Sequence, residues 1–271
     1  MFNHGLPTPF HIDRVPLSSG SVARWSRLSG PKKCVVFVHG FRGRAVSTWG
    51  DFIEIAVKDP HYDHVDLIFL GYDSASQSAS FSAGVISDAI SALGNRPASL
   101  IELLGGPVRA SNFDYSEIIL VGHSLGGAIV RDVAMSAKVA GEAWADKASL
   151  ALFAPAHHGA NIVSLLYLAS EGFAKLLGPV KAILYYKSPV IQDLIRGSIY
   201  LQALSQRAQQ LAGDRTSIAR LVVHGASDRI VIDNVFHQDP QCTPYAGHDH
   251  FSVCKPTPHF IDPVIDVGGI L

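Results

Sequence analysis

The chain has 271 residues, 48% hydrophobic and 17% charged, with a formal net charge of −1. That length and apolar content fit one domain with a sizeable core, and the charge balance gives no electrostatic case for nucleic-acid binding. The N-terminus from Met1 to Pro7 has neither a basic nor an apolar signal region, and no apolar run reaches membrane-span length, so a cytoplasmic protein is expected.

In chain order, Phe10-His11-Ile12 and Val22-Ala23-Arg24-Trp25 are weak strand-like pieces on either side of Pro16 and the turn at Ser18 to Gly20, and they read as antiparallel edge strands. Cys34-Val35-Val36-Phe37-Val38 is apolar throughout, as parallel strands buried on both faces are, and it ends in His39-Gly40-Phe41-Arg42-Gly43. A helix is expected at Ser47 to Val57, a strand at Val65 to Leu70 and a loop over the small residues Ser74 to Ser82. A second helix follows from Ala83 to Leu104, interrupted at Gly94 to Pro97. Glu117 to Val121, Ser149 to Phe153 and Arg220 to His224 are further strands. This alternation implies a mostly parallel sheet with helices on both faces. It breaks between about His157 and Ala219, where Leu, Tyr, Ile and Ala dominate and Pro179 and Pro189 punctuate; two or three helices are expected there, either as a cap over a site or as plain cover for the sheet. Cys34, Cys242 and Cys254 are too few and too widely spaced for a disulfide framework, although a Cys242–Cys254 bridge is open to an exported form.

The stretch that carries chemistry is Val121-Gly122-His123-Ser124-Leu125-Gly126-Gly127. A strand precedes it and a helical pattern, Ala128 to Met135, follows, which is the context a G-x-S-x-G nucleophile elbow requires. Gly122 and Gly126 lack the Cβ atoms that would clash as strand and helix close, and the helix N-terminus beneath Ser124 favours negative charge. The reading that competes is a structural Gly-rich turn.

This elbow in this context resembles the α/β-hydrolase superfamily, which implies an α/β-hydrolase fold over residues 1–271 with a helical cap inserted at about 157–219. A serine needs a general base and a group that orients it, and the superfamily's chain order is Ser, acid, His. Gly225-Ala226-Ser227-Asp228-Arg229-Ile230-Val231 resembles its acid turn, which makes Asp228 the orienting acid, with Asp233 and Asp249 as competitors. Gly247 to Pro256 offers two histidines. The segment from His250 to Lys255-Pro256 is similar to the catalytic-histidine segment of certain intracellular serine lipases, so His250 is the expected base and His248 its rival. The His-x-His pairing would also suit a metal, but no third ligand is evident. An oxyanion hole is expected from the amides of Leu125 and Phe41, with Arg42 as the alternative donor. His39 reads as a residue that pins this loop, and His237 and His259 as surface or capping residues.

Several segments narrow the resemblance: Phe37 to Gly43 with Thr48-Trp49, the elbow, Ala156-His157-His158-Gly159-Ala160 and the His250 segment. Together they are similar to the lipase branch that includes GPI-inositol deacylases and serine-active-site phospholipid-remodelling proteins. There the strand after the elbow leads into Thr-Pro-His-x-Gly; Ala156 stands in place of the Pro here, which leaves the role of His157 open. Ser188 to Leu194 and Gly197 to Leu201 also resemble a lipase cap segment. The implied activity is serine-dependent cleavage of a carboxylic ester with a hydrophobic acyl or alcohol part. Arg42, His123 and His157 are candidate substrate contacts, with Leu165 to Leu168, Phe173, Leu176, Leu177 and Ile183 to Tyr186 as the apolar cap. An acyl-thioesterase would use the same three residues, and a hydrolase fold retained only for binding is the alternative of a different class. No G-x-G-x-x-G follows the first strand and no P-loop is present, so no cofactor or metal is expected. The expected partner is a small-molecule ester or lipid, contact with a lipid surface running through the cap; oligomeric state is left open.

Overall fold

A computed structural model describes residues 10–11, 20–26, 30–169, 188–211, 218–231, 236–237, 239–241 and 243–271. Eight strands form one sheet: β1 (Phe10–His11), β2 (Val22–Arg24), β3 (Lys33–Val38), β4 (Val65–Leu70), β5 (Glu117–His123), β6 (Ala148–Phe153), β7 (Ala219–Gly225) and β8 (Thr243–Tyr245). Their spatial order is β1-β2-β4-β3-β5-β6-β7-β8. The two N-terminal strands are antiparallel at one edge, as expected, and every pairing from β4 to β8 is parallel.

The helices are α1 (Phe52–Ala56), α2 (Ala79–Asn95), α3 (Pro97–Leu103), α4 (Leu125–Ala140), α5 (Ile162–Ala169), α6 (Pro189–Leu194), α7 (Ile199–Leu211) and α8 (Asp262–Gly269). They cover both faces of the sheet: α2, α4 and α7 pack together, and α1 packs with α8. The core of the α1 face is aromatic. Phe37 stacks on Phe69 with centroids 4.3 Å apart and meets Phe52 and Trp49 edge-on at 4.8 and 5.1 Å, arrangements that add to the burial of the rings themselves. All six residues of β4 are buried, including Asp66. Its carboxylate is tolerated there because it accepts from Tyr115 Oη at 2.6 Å, from the Ser26 amide at 2.6 Å and from Arg109 at 3.3 Å.

The order of strands decides where a ligand can sit. From β3 the chain goes to β4 on one side and then crosses to β5 on the other, so the direction of winding reverses between β3 and β5. In open parallel sheets the loops at the carboxyl ends of such neighbouring strands diverge and leave a crevice. Here those ends carry His39-Gly40 and His123-Ser124.

Two expectations need correction. The loop expected over Ser74 to Ser82 is helical from Ala79, because Ser78 Oγ accepts from the Phe81 amide at 3.1 Å and the distant Asp193 carboxylate accepts from the Ala79 amide at 2.7 Å. The helix expected at Ser47 to Val57 is a 3-10 turn at Ser47–Trp49, a break at Gly50 with φ +51°, and then α1. β8 and α8 were not anticipated. By contrast, the interruption at Gly94 to Pro97 separates α2 from α3, with Pro97 at the first helical position where its missing N–H costs nothing. Between β6 and β7 the described residues include the helices α5, α6 and α7. Phe173, Leu176, Leu177 and Ile183 to Tyr186 lie outside the described residues, as do Cys242 and Asp233. No described helix is long and apolar enough to cross a membrane.

Candidate active site

β5 runs straight into α4, and Ser124 is the single residue between them. It has φ +54°, a left-handed value that a non-glycine residue adopts only when its surroundings enforce it. What enforces it is close packing of backbone. A Cβ on Gly122 would stand 2.6 Å from Gly127 Cα, and one on Gly126 would stand 2.1 Å from the Val38 carbonyl oxygen. The first glycine therefore lets strand and helix close on each other, and the second lets the helix end press against β3. The Ser124 carbonyl is held by the amides of Gly127 and Ala156, each at 3.0 Å.

Two further loops reach the same place. At the end of β7, Asp228 forms a tight turn in which its Oδ1 accepts from the amides of Ile230 at 2.8 Å and Val231 at 3.3 Å. Its Oδ2 accepts from His250 Nδ1 at 2.9 Å, and His250 Nε2 accepts from Ser124 Oγ at 2.9 Å. The tautomer follows from the partners: the carboxylate takes the Nδ1 proton, which leaves the Nε2 lone pair facing the serine hydroxyl. Burial by itself raises the Asp228 carboxyl. The His250 ring and the two amides outweigh it and hold the group below the ordinary carboxylate range.

The loop bearing His250 is fixed by its neighbours. Gly225 lies so close to it that a Cβ would meet the His248 carbonyl oxygen at 2.5 Å, and the Ser227 amide donates to that oxygen at 2.9 Å. On the other side the Asp51 amide donates to the Pro256 carbonyl at 3.0 Å and the Cys254 thiol faces the Thr48 carbonyl at 3.4 Å. The break at Gly50 belongs to this contact, since a Cβ there would stand 2.6 Å from Pro256 O.

The competitors are engaged elsewhere. His248 stacks on Phe260 with centroids 3.6 Å apart. Asp249 Oδ1 accepts from the Phe251 and Ser252 amides at 3.0 and 2.8 Å and so shapes the turn that presents His250. His237 and His259 are exposed. His39 is buried and stacked on Tyr72 at 4.5 Å; its Nδ1 donates to Gly40 O at 3.0 Å and its Nε2 accepts from the Tyr72 amide at 3.4 Å. Burial pushes its pKa down to about 4, so it stays neutral. His123 lines the cavity beside Ser124, but its Nε2–H donates to the His250 carbonyl at 2.7 Å, bracing that loop. Burial, then the nearby His250, push its pKa down to about 3.

The cavity over Ser124 has a volume of about 270 Å³ and is lined by Gly40, Phe41, Arg42, Gly43, Arg44, Ser47, Thr48, His123, Ser124, Leu165, His250, Phe251 and Lys255. Phe41 and Arg42 belong to a turn closed by the Gly43 amide on Gly40 O at 2.9 Å. Leu125 is the first residue of α4, where an amide has no intrahelical acceptor. His157 is not brought to this cavity: it is buried with its ring 4.6 Å from Phe236 and 4.7 Å from His158. Arg44, Phe251 and Lys255 were not singled out from the sequence as site residues, and Thr48 entered only as part of the family resemblance. Lys255 lies in the segment already chosen for His250, but no residue pattern marks which side of that segment faces Ser124. Among the described residues no three His, Cys, Asp or Glu side chains gather as a metal-binding group.

The sequence pattern of the Alpha/beta hydrolase family matches residues 35–258, and the chain belongs to that family. Among solved structures it is similar to Bacillus licheniformis lipase BlEst2 in mature form, with 16% identity, a TM-score of 0.59 and coverage of 91% of this chain and 96% of that one. Est1E from Butyrivibrio proteoclasticus is also 16% identical, with a TM-score of 0.54 and coverage of 97% of this chain and 96% of the other. Phospholipase PlaB from Legionella pneumophila, in complex with thio-NAD, is 17% identical with a TM-score of 0.53, covering 87% of this chain and 57% of that one. Likeness at this level of identity is a likeness of fold. No curated protein matches the chain.

Proposed function

We propose that this protein is a serine hydrolase that cleaves carboxylic esters through an acyl-enzyme. The observation that carries the reading is the unbroken relay from Asp228 through His250 to Ser124, two hydrogen bonds of 2.9 Å each at the carboxyl ends of the sheet. Ser124 Oγ attacks the ester carbonyl carbon while His250 Nε2 takes its proton. As the tetrahedral intermediate collapses, the C–O bond to the alcohol breaks and His250 returns the proton to that oxygen. Water repeats the sequence on the acyl-serine and releases the acid. Asp228 holds the ring in the tautomer that this needs and favours the imidazolium formed on the way. The amides of Leu125 and Phe41 stabilise the oxyanion, a role worth roughly 100 to 1,000-fold in rate per donor.

We read the chain as a single domain in which α5 borders the site, Leu165 reaching the cavity wall, while α6 packs on α2 and α7 on α4. The similar structure from Bacillus licheniformis is that of a lipase, which agrees with this reading of the chemistry. Labelling of the pure protein with a fluorophosphonate, with Ser124→Ala as control, tests it together with p-nitrophenyl esters from acetate to palmitate. Adduct formation at Ser124 and a chain-length optimum are expected. A folded protein that takes no label and turns over no ester counts against the reading.

A further inference from the structure

The charges around the cavity are one-sided. Arg42, Arg44 and Lys255 are its charged lining residues, and no carboxylate appears among the described residues of its wall. Asp228 is taken up by the His250 ring and two amides. The whole chain has 22 Lys and Arg against 23 Asp and Glu, so three cations at one opening are not the background of a basic protein.

These cations come from two loops that the fold holds firmly beside Ser124. The Arg44 amide donates to Thr48 Oγ1 at 2.9 Å, and a Cβ on Gly43 would stand 2.8 Å from that same Oγ1. The Lys255 amide donates to Ser252 O at 3.0 Å, within the segment clamped between Gly50 and Gly225. Arg42 sits at φ +55°, a left-handed position in the turn that glycine would occupy without steric cost. Backbone strain of this kind persists where the surroundings demand it and gathers at functional sites. Guanidinium groups offer forked donors and an ammonium offers a compact positive charge, both of which suit phosphate and carboxylate oxygens.

We propose that the preferred ester carries an anionic group, a phosphate or a carboxylate, a few atoms from the bond cleaved, and that Arg44 and Lys255 receive it. The inference rests on the hydrolase reading of Ser124 and adds the chemical class of substrate.

The test compares three soluble esters with the same acyl group: butyrylglycerol, butyrylglycerol phosphate and butyrylglycerate. One anionic ester should exceed the neutral one by about tenfold in kcat/KM, chiefly through KM, which is the size of one or two charge-assisted hydrogen bonds at an opening exposed to water. The faster of the two identifies the anion as phosphate or carboxylate. The ratio should fall toward one in Arg44→Gln/Lys255→Gln and shrink as salt is raised. Equal rates on all three esters overturn the inference. So does a ratio unchanged in the double variant, provided that fluorophosphonate labelling shows its site to be intact; Arg44→Gln alone, a change at an exposed side chain, serves if the double variant does not fold. A preference seen only on anionic vesicles and not on monomeric esters also overturns it, by assigning the cations to surface attachment. Labelling at Ser124 without turnover of any of the three sinks this inference alone, whereas neither labelling nor turnover sinks the hydrolase reading with it.

Discussion

At the scale of single residues, the reading turns on three side chains that contribute unequally to folding and chemistry. Ser124 is buried and its hydroxyl donates to the His250 ring at 2.9 Å. Alanine accepts the same backbone at similar strain, so Ser124→Ala should leave the melting temperature within about 2 °C while turnover falls by at least about 10⁴-fold. Asp228→Asn is a sharper probe of orientation. The asparagine carbonyl can still accept from Ile230 and Val231 and keep the turn, but the amide cannot hold the ring in the same tautomer. A drop of roughly 10⁴-fold in kcat is expected with KM little changed, measured on one ester at a pH where the wild type is fully active. A fall in melting temperature with kcat unchanged would point to a structural carboxylate instead.

At the scale of elements, glycines decide how closely strands, helix and loops meet. Gly126→Ala would force a Cβ to within 2.1 Å of Val38 O, backbone against backbone, and neither side can give way without opening the contact between β3 and α4. A loss of about 3 kcal/mol or more in denaturant unfolding is expected. Gly84, within α2, has nothing within 4 Å of such a Cβ. Gly84→Ala should therefore stabilise by about 0.5–1 kcal/mol, because the unfolded chain loses freedom and the helix gains propensity. If both substitutions had the same effect, the crowding at the elbow would be no more than apparent. A second junction at this scale is the buried pair of Arg131 on α4 and Asp239, with the guanidinium 4.4 Å from the Phe236 ring centroid. It ties the helix behind Ser124 to the segment that leads into β8.

At the scale of the whole molecule, burial makes stability depend on pH. His39 and His123 are held neutral down to about 4 and about 3 respectively, whereas in the unfolded chain they protonate near 6.5. Between those limits the unfolded state binds more protons, so their contribution is complete above about pH 6.5 and declines as pH falls, by at most about 1.4 kcal/mol per pH unit for each ring. The buried Asp66 and Asp132 carboxyls are raised, mainly by burial, and act with opposite sign, their contribution being greatest in acid. Substitution isolates the histidine part: His39→Gln should flatten the curve of unfolding free energy against pH between 6.5 and 4 by up to that one-ring slope, and an unchanged slope would mean that His39 is charged in the folded protein. The parallel strands and the elbow were legible in the sequence because each follows from local pattern: unbroken apolar runs, and glycines on either side of one serine where strand meets helix. The start of α2 was not legible, since its first amide is capped by Asp193, more than a hundred residues away. His250 and His248 are two residues apart and chemically alike; only the clamping of their loop between Gly50 and Gly225 sends one ring to Ser124 and the other to Phe260. The expected place of His157 shows the reverse case, a motif residue that the packing of Phe236 keeps away from the cavity. The sequence by itself thus determined the class of fold and the strained serine, which depend on neighbours along the chain. The tertiary structure alone decided the choice of histidine and the cations that gather at the cavity, because contacts between loops far apart in sequence determine which way their side chains face.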